Sequence, residues 1–229
     1  MKLSVIIPAF NEEKTLVESV TRLLETGYIL DVEVVIVDDG SIDSTYVKAK
    51  ELAAKYPCIT VLKHDNNCGK GAAIATAKNI VSGDFVVIHD ADLEYDPRNF
   101  KYLIEKIVNP GVSIVYGSRF LKDNPNKYPV YLLGNKFMTL MFNMVFHAGL
   151  TDVYTCYKMF KRDVWDKIVI TSKGFEIELE LTARAIRLGI NIVEVPIDYS
   201  PRTLEDGKKI GLRDVFTGLW KICSICLKK

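Results

Sequence analysis

The sequence is poor in what a disulfide or zinc scaffold requires. Its 229 residues include five cysteines, an odd number at scattered positions, so no disulfide framework is expected and a reducing cytoplasm suits the chain. Cys223 and Cys226 form a CxxC with no second pair to complete a tetrahedral site, and read as small apolar residues on a helix face. Neither sign of charge is in excess. Thirty basic residues against 29 acidic give a formal net charge of +1, which excludes a global field for nucleic acid. No uncharged apolar run reaches the roughly 18 residues that span a bilayer. The opening MKLSVIIPAF lacks a small-residue cleavage site and turns polar at NEEK, so a strand is expected there and not a secretory leader. Repeats and low-complexity tracts are absent too.

What is present is an alternation of strand and helix. KLSVIIPAF, VEVVIVDDG, ITVLKH and DFVVIHDAD read as strands. Between and after them, NEEKTLVESVTRLLET, STYVKAKELAAKY, KGAAIATAKNIV and PRNFKYLIEKIV read as helices. Ser41, Asp43 or Ser44 can cap the second helix and Pro97 opens the fourth. Strands apolar on both faces, separated by helices, predict a mostly parallel α/β sheet covered on both sides. Ligands of such sheets bind beyond the carboxyl ends of the strands. Pro8, Phe10 and Glu12 close the first strand, Asp38 and Asp39 the second, and Asp90 and Asp92 the fourth, so all three sets are expected at one edge.

The second half is less regular. SIVYGSRF and NIVEVPIDYSPR read as strands, YKMFKRDVWDKI as a strand running into a helix, and FEIELELTARAIRLG as a helix capped at Gly189. Residues 131–150 form an apolar helix on which Asn135, Thr139, Asn143 and His147 recur every fourth residue. Periodicity favours core packing of this helix over a lipid-facing role. The tail, with Val215, Phe216, Leu219, Trp220, Ile222 and Cys223, is an amphipathic helix that either packs on its own domain or lies in a membrane interface.

The chemistry concentrates in FVVIHDADLEYDP, residues 85–97, where an apolar strand runs into Asp90, Asp92, Glu94 and Asp96. Crowded carboxylates lower stability unless a cation joins them. Their hard oxygens suit magnesium or manganese, and magnesium binds through one or two carboxylates plus substrate phosphates. Asp92 and Glu94 are therefore the expected metal ligands, and Asp96, before Pro97, a helix cap. CGKGAAIATA matches neither GxxxxGK[ST] nor GxGxxG, yet it can offer backbone N–H groups and Lys70 to an anion. DADLE also fails the DxDx[TV] of haloacid-dehalogenase phosphatases, since Glu94 takes the last position.

Together, SVIIPAFNEEKTL, VVIVDDGSIDST, NNCGKGAAIATA, HDADLEYDP and YGSRF resemble the family 2 glycosyltransferases of GT-A fold. GFEIELELTARAIRLGINIVEVPIDYSPR followed by EDGKKIG is similar to the carboxyl-terminal part of polyprenol-phosphate hexose synthases, including dolichyl-phosphate mannose and glucose synthases. The resemblance covers nearly the whole chain. It implies one GT-A domain, a Rossmann-like sheet with a nucleotide-binding half at 1–118 and an acceptor half at 119–229. It implies an inverting hexosyltransferase that moves sugar from GDP-mannose, UDP-glucose or UDP-GlcNAc to a polyprenyl phosphate, using magnesium or manganese, peripherally on the cytoplasmic membrane face.

Carried over by position, Pro8, Phe10, Glu12 and Val37 would border the nucleotide, with Asp39 near base or ribose and Asp38 its neighbour. Asp90 and Ala91 would face ribose or sugar, Asp92 and Glu94 would hold the metal, and Lys70 would reach toward the donor. Arg119 would lie near the acceptor phosphate, while Arg202 and Lys208 or Lys209 would close over the diphosphate. Two positions depart from the family pattern: Cys156-Tyr157 stands where relatives carry a Gly-aromatic pair, and Lys208-Lys209 where they often carry Ser-Lys. A hydroxyl acceptor would need a carboxylate base, for which Asp152 is the candidate. A nucleotide-binding or membrane-adaptor domain without catalysis is a third possibility.

Overall fold

A computed structural model describes residues 1–27, 31–125, 129–202, 217, 218, 220–222, 224 and 225, with the side chains of 129–131 left out. The first half folds as the alternation predicts: β1 (Lys2–Ala9), α1 (Leu16–Leu24), β2 (Asp31–Asp38), α2 (Thr45–Lys55), β3 (Ile59–Lys63), α3 (Lys70–Lys78) and β4 (Phe85–Ile88). A 3-10 turn at Pro97–Asn99 leads into α4 (Phe100–Ile107) and β5 (Ile114–Ser118). The rest comprises α5 (Pro129–Phe146), β6 (Lys158–Lys161), α6 (Arg162–Lys167), α7 (Ile177–Arg187) and β7 (Ile192–Pro196).

These strands make one seven-stranded sheet in the order β3-β2-β1-β4-β6-β5-β7. All neighbours run parallel except β6, which is antiparallel to both β4 and β5. Val5, Ile6, Ile7, Val34, Ile36, Val86 and Val87 have no exposed surface, as expected of strands covered on both faces. Each such side chain contributes roughly 1.5–3 kcal/mol when fully buried. Pro196 ends β7 at the sheet's edge, where a missing N–H costs no ladder bond.

Local signals worked where the chemistry was local. Asp43, not Ser41 or Ser44, caps α2: its carboxylate accepts from Thr45 N at 2.9 Å and from Glu13 N at 3.2 Å. Asp96 accepts from Arg98 N at 2.9 Å. Gly189 adopts φ +71 after α7, the left-handed C-cap that favours glycine.

Helix α5 is turned the opposite way from an ordinary surface helix. Two of its polar residues bond inward: Thr139 accepts from Val153 N at 3.4 Å, and the Asn143 amide bonds Leu150 O at 2.8 Å and Leu150 N at 3.2 Å. Met138 and Phe142 join a second core cluster with Leu179, Ala183, Ile222 and Ile225. Leu133, Phe137, Leu140 and Met144, spaced four, three and four apart, are half or more exposed. Core packing thus holds for one face, and a row of large apolar side chains lies outside. His147 has left the helix, with φ +51 and an exposed side chain. No helix of the described residues is long and apolar enough to cross a membrane. Trp220 is 76% exposed; Val215, Phe216, Leu219, Cys223 and Cys226 lie outside the described residues.

One buried histidine sets a pH dependence. His89, directly after β4, is fully buried, its Nε2 2.8 Å from Ser19 Oγ and its Nδ1 2.9 Å from Tyr157 OH. Burial lowers its pKa from 6.5 to about 4. The unfolded chain therefore binds the proton first. The neutral ring's stabilisation is complete above about pH 6.5 and is lost as pH falls toward 4, by about 3 kcal/mol in all. Urea unfolding at pH 7 and pH 4 should show the wild type's advantage over His89→Gln shrinking by about that amount; a pH-independent difference would contradict the assignment.

Candidate active site

A cavity of about 470 Å³ opens at the carboxyl ends of β1, β2 and β4. Pro8, Phe10, Glu12, Asp39, Lys70, Asp90, Ala91, Asp92, Glu94, Arg119 and Arg202 all line it, so residues far apart in sequence meet where the strand ends predicted. Two expected contacts are not part of the lining. Val37 is an interior residue of β2 with no exposed surface, and packs in the sheet's core. Asp38 is also fully buried, its carboxylate without a hydrogen-bond partner among the described residues. Lys208 and Lys209 lie outside the described residues.

The loop after β4 is bent to present its acids. Leu93 takes φ +63, a left-handed conformation rare for a bulky residue and costing on the order of 1 kcal/mol or more. That turn places Asp92 and Glu94 together, and Glu94 N donates to Asp92 Oδ1 at 3.0 Å. Burial, with Asp90 and Glu94 close by, pushes the Asp92 carboxyl up to about 7 against the pull of Arg202. Arg202 sits between the acids, its Nη1 3.2 Å from Glu12 Oε2 and its Nη2 3.1 Å from Asp92 Oδ2. Glu94 accepts from Tyr199 OH at 2.6 Å and from Arg202 N at 2.9 Å. A guanidinium standing between buried oxygens is what an acid cluster that needs a cation would hold. Asp92 and Glu94, with hard oxygen atoms in one cleft, fit magnesium or manganese.

Lys70 forms the other polar wall. Its ammonium lies 2.8 Å from Asp90 Oδ1 and 2.9 Å from Glu178 Oε1. Burial opposes the charge, but Asp90 and Glu178 outweigh it and hold the ammonium well above its usual range. Glu178 bonds on its far side to Lys158, which is fully buried and also donates to Val153 O at 3.1 Å and Thr155 O at 2.5 Å. The Cys156 thiol, buried beside Asp90 with its Sγ 3.6 Å from Ile88 O, is pushed well up by burial and behaves as packing.

The GKG segment serves the fold more than an anion. Gly69 N donates to Asp39 Oδ2 at 2.7 Å, and Ala72 N donates to Lys173 O at 3.1 Å. A Cβ on Gly69 or Gly71 would fall 2.4 Å from Lys173 O or Ser172 O, so glycine is what lets residues 172–174 approach. Asp39 binds Cys68 N and His64 Nδ1 as well, at 2.9 and 2.7 Å, and so shapes the loop that leads into α3.

Arg119, directly after β5, also faces the cavity. Its Nε and Nη2 donate to Asp152 Oδ2 and Oδ1 at 2.7 and 2.8 Å, and its guanidinium lies 5.1 Å from the centre of the Tyr199 ring. Burial opposes its charge; Asp152 outweighs that and holds it well above its usual range. This corrects the expectation of Asp152 as a base. It is fully buried, outside the cavity lining, and spends both oxygens on Arg119. It positions the arginine.

Tyr199, Glu178, Tyr95, Asn135 and Tyr154 also line the cavity, and sequence reasoning missed them. Glu176, Glu178 and Glu180 show why. Glu176 accepts from Lys173 N and Gly174 N, Glu180 from Thr171 N and Ser172 N, and only Glu178 reaches the cavity. Nothing in EIELEL separates the three roles.

The model of "Glycosyl transferase family 2" matches residues 4–169. Among curated proteins, the chain is 32% identical to a dolichol-phosphate mannosyltransferase of Pyrococcus furiosus over 92% of its own length and 60% of the relative's. It is 31% identical to a polyprenol monophosphomannose synthase of Mycolicibacterium smegmatis, over 90% of the chain and 80% of the relative. It therefore spans less than two thirds of the first of these. Among solved structures, glucosyl-3-phosphoglycerate synthase of Mycobacterium tuberculosis, solved with Mn2+, UDP and phosphoglyceric acid, superposes with a TM-score of 0.76. The identity there is 19%, over 99% of this chain and 78% of that one, and the likeness is one of fold.

Proposed function

The chain belongs to glycosyl transferase family 2, and on that premise we propose that it transfers a hexose from a nucleotide-diphosphate sugar to a polyprenyl phosphate, with inversion at the anomeric carbon. The observation that carries this reading is the pairing of two unlike walls in one cavity. Glu12, Asp92 and Glu94 with Arg202 form one, and the Asp152-anchored Arg119 forms another, apart from the Lys70 wall.

The chemistry follows from charge. Breaking the glycosidic bond leaves growing negative charge on the diphosphate. Magnesium or manganese, held by Asp92 and Glu94, would neutralise part of it. Arg202, which stands beside Glu12 and Asp92, would contribute a second positive charge, and Lys208 or Lys209 would add to it. Pro8, Phe10, Glu12 and Asp39 would border the nucleotide, and Lys70 with Asp90 the sugar. A phosphate monoester has its second pKa near 6, so it is largely dianionic at neutral pH and needs placing, not deprotonating. Arg119 supplies fixed donors for that task. Every carboxylate of the lining already has a cation or hydrogen-bond donor beside it, which suits an acceptor that needs no base.

The lipid would come from the side of α5. Asn135 lines the cavity, and Leu133, Phe137, Leu140 and Met144 on the same helix offer apolar surface to a bilayer interface. On this reading the protein works peripherally, on the cytoplasmic membrane face.

The test is an assay with radiolabelled GDP-mannose, UDP-glucose and UDP-GlcNAc, polyprenyl phosphate in vesicles, and Mg2+ or Mn2+. Label extracted into organic solvent from one of these donors is the expected result. No lipid-linked sugar with any donor, at either metal, would overturn the reading.

A further inference from the structure

The segment after β7 grips the acids after β4 at several points. Tyr95 and Tyr199 form an antiparallel bridge, and Ser200 N donates to Glu94 O at 2.9 Å. Tyr199 OH then takes Glu94 Oε2 at 2.6 Å, and Arg202 N takes Glu94 Oε1 at 2.9 Å. The Arg202 guanidinium continues to Asp92 Oδ2 at 3.1 Å and to both Glu12 oxygens at 3.2 and 3.3 Å. Residues 199–202 therefore hold both side-chain oxygens of Glu94 and one of Asp92.

A divalent cation needs those same oxygens. Magnesium requires ligands at about 2.1 Å in near-octahedral directions. An N–H or O–H donor aimed at an oxygen competes for its lone pairs, and a guanidinium beside it adds like-charge repulsion. Resting on the metal and diphosphate roles given above, we propose that Tyr199 and Arg202 are the residues that set cation affinity at Asp92 and Glu94, as resident competitors that a diphosphate relieves. The diphosphate supplies what Arg202 gives up: paired anionic oxygens that match its planar fork. Releasing the guanidinium from Asp92 frees the acid, so nucleotide and cation bind with positive coupling, and each strengthens the other by the same factor. Tyr199 extends the coupling to the acceptor wall, because the Arg119 guanidinium rests on its ring.

Electron paramagnetic resonance counts free Mn2+ directly and needs no turnover. Mn2+ is titrated into the full chain, with and without UDP or GDP, for wild type, Tyr199→Phe and Arg202→Gln. Circular dichroism confirms that each is folded. Without nucleotide, both variants should bind Mn2+ about tenfold more tightly than wild type, since each loses a donor to a charged group. Adding nucleotide should tighten wild type more than either variant. Tyr199→Phe is the decisive arm, because it changes no charge. A gain confined to Arg202→Gln would be simple charge removal and would overturn the proposal, as would equal or weaker binding in both. Wild type binding Mn2+ as tightly as the variants leaves the metal reading standing and sinks only the competition. No bound Mn2+ in any of the three, even with nucleotide, sinks both.

Discussion

Asp92→Asn is expected to lower metal-dependent kcat/KM by on the order of 10³ while leaving the fold intact. On the proposed reading the carboxylate would be one of two hard ligands presented by the loop after β4, where the neighbouring Leu93 takes φ +63. An amide keeps the shape and loses the charge. The metal's contribution to a charged leaving group is several kcal/mol, and three decades of rate correspond to about 4 kcal/mol. Stability should not suffer. Burial beside Asp90 and Glu94 already disfavours the ionised form at neutral pH, so removing that charge relieves repulsion. The thermal midpoint should be equal to or above that of wild type. Initial rates at saturating Mn2+, with melting curves on the same preparation, check both halves. Turnover within a few fold of wild type would remove Asp92 from the site.

Arg119→Lys is expected to lower transfer to a phosphate acceptor by about 10² while leaving nucleotide binding unchanged. Arginine offers a planar fork: two of its donors are fixed on Asp152, and the face of the group lies over Tyr199. Lysine keeps the charge but loses the fork and its alignment. Asp152→Asn should give the same acceptor defect by releasing the fork, and should also cost about 3 kcal/mol of stability because a buried pair is broken. Since the two residues act as one unit, the double variant should be little worse in transfer than Asp152→Asn alone. The separating measurement is acceptor KM and kcat beside calorimetric nucleotide affinity. A loss of nucleotide affinity equal to the loss of transfer would place Arg119 at the donor instead.

How much of this was legible in the sequence depends on the range of the interaction. Strand ends were legible because an apolar run closing on Asp38-Asp39 or on Asp90, Asp92 and Glu94 is a local pattern, and parallel sheets put all such ends on one edge. Gly189 and Asp96 were legible as caps for the same reason. The antiparallel β6 was not: KMFK is four residues long, and its direction is set by pairing with Phe85–Val87 and Ile114–Tyr116. Nor was the orientation of α5. Periodicity favours a core helix but does not say which face is covered: Thr139 and Asn143 serve the 150–153 backbone, while Leu133, Phe137, Leu140 and Met144 stay exposed. Tyr199 and Glu178 act across separations of 105 and 108 residues, which no spacing rule encodes. The expected base at Asp152 failed because its partner, Arg119, lies 33 residues away in sequence.

The claim on which the rest depends is that the acids after β4 hold a cation that in turn holds a diphosphate. Calorimetric titration of wild-type protein with UDP and GDP, in saturating Mn2+ and again in excess EDTA, tests it most directly. Tight binding of one nucleotide in Mn2+, weakened at least tenfold by chelation, is the predicted result. The same affinity with and without the metal would contradict it.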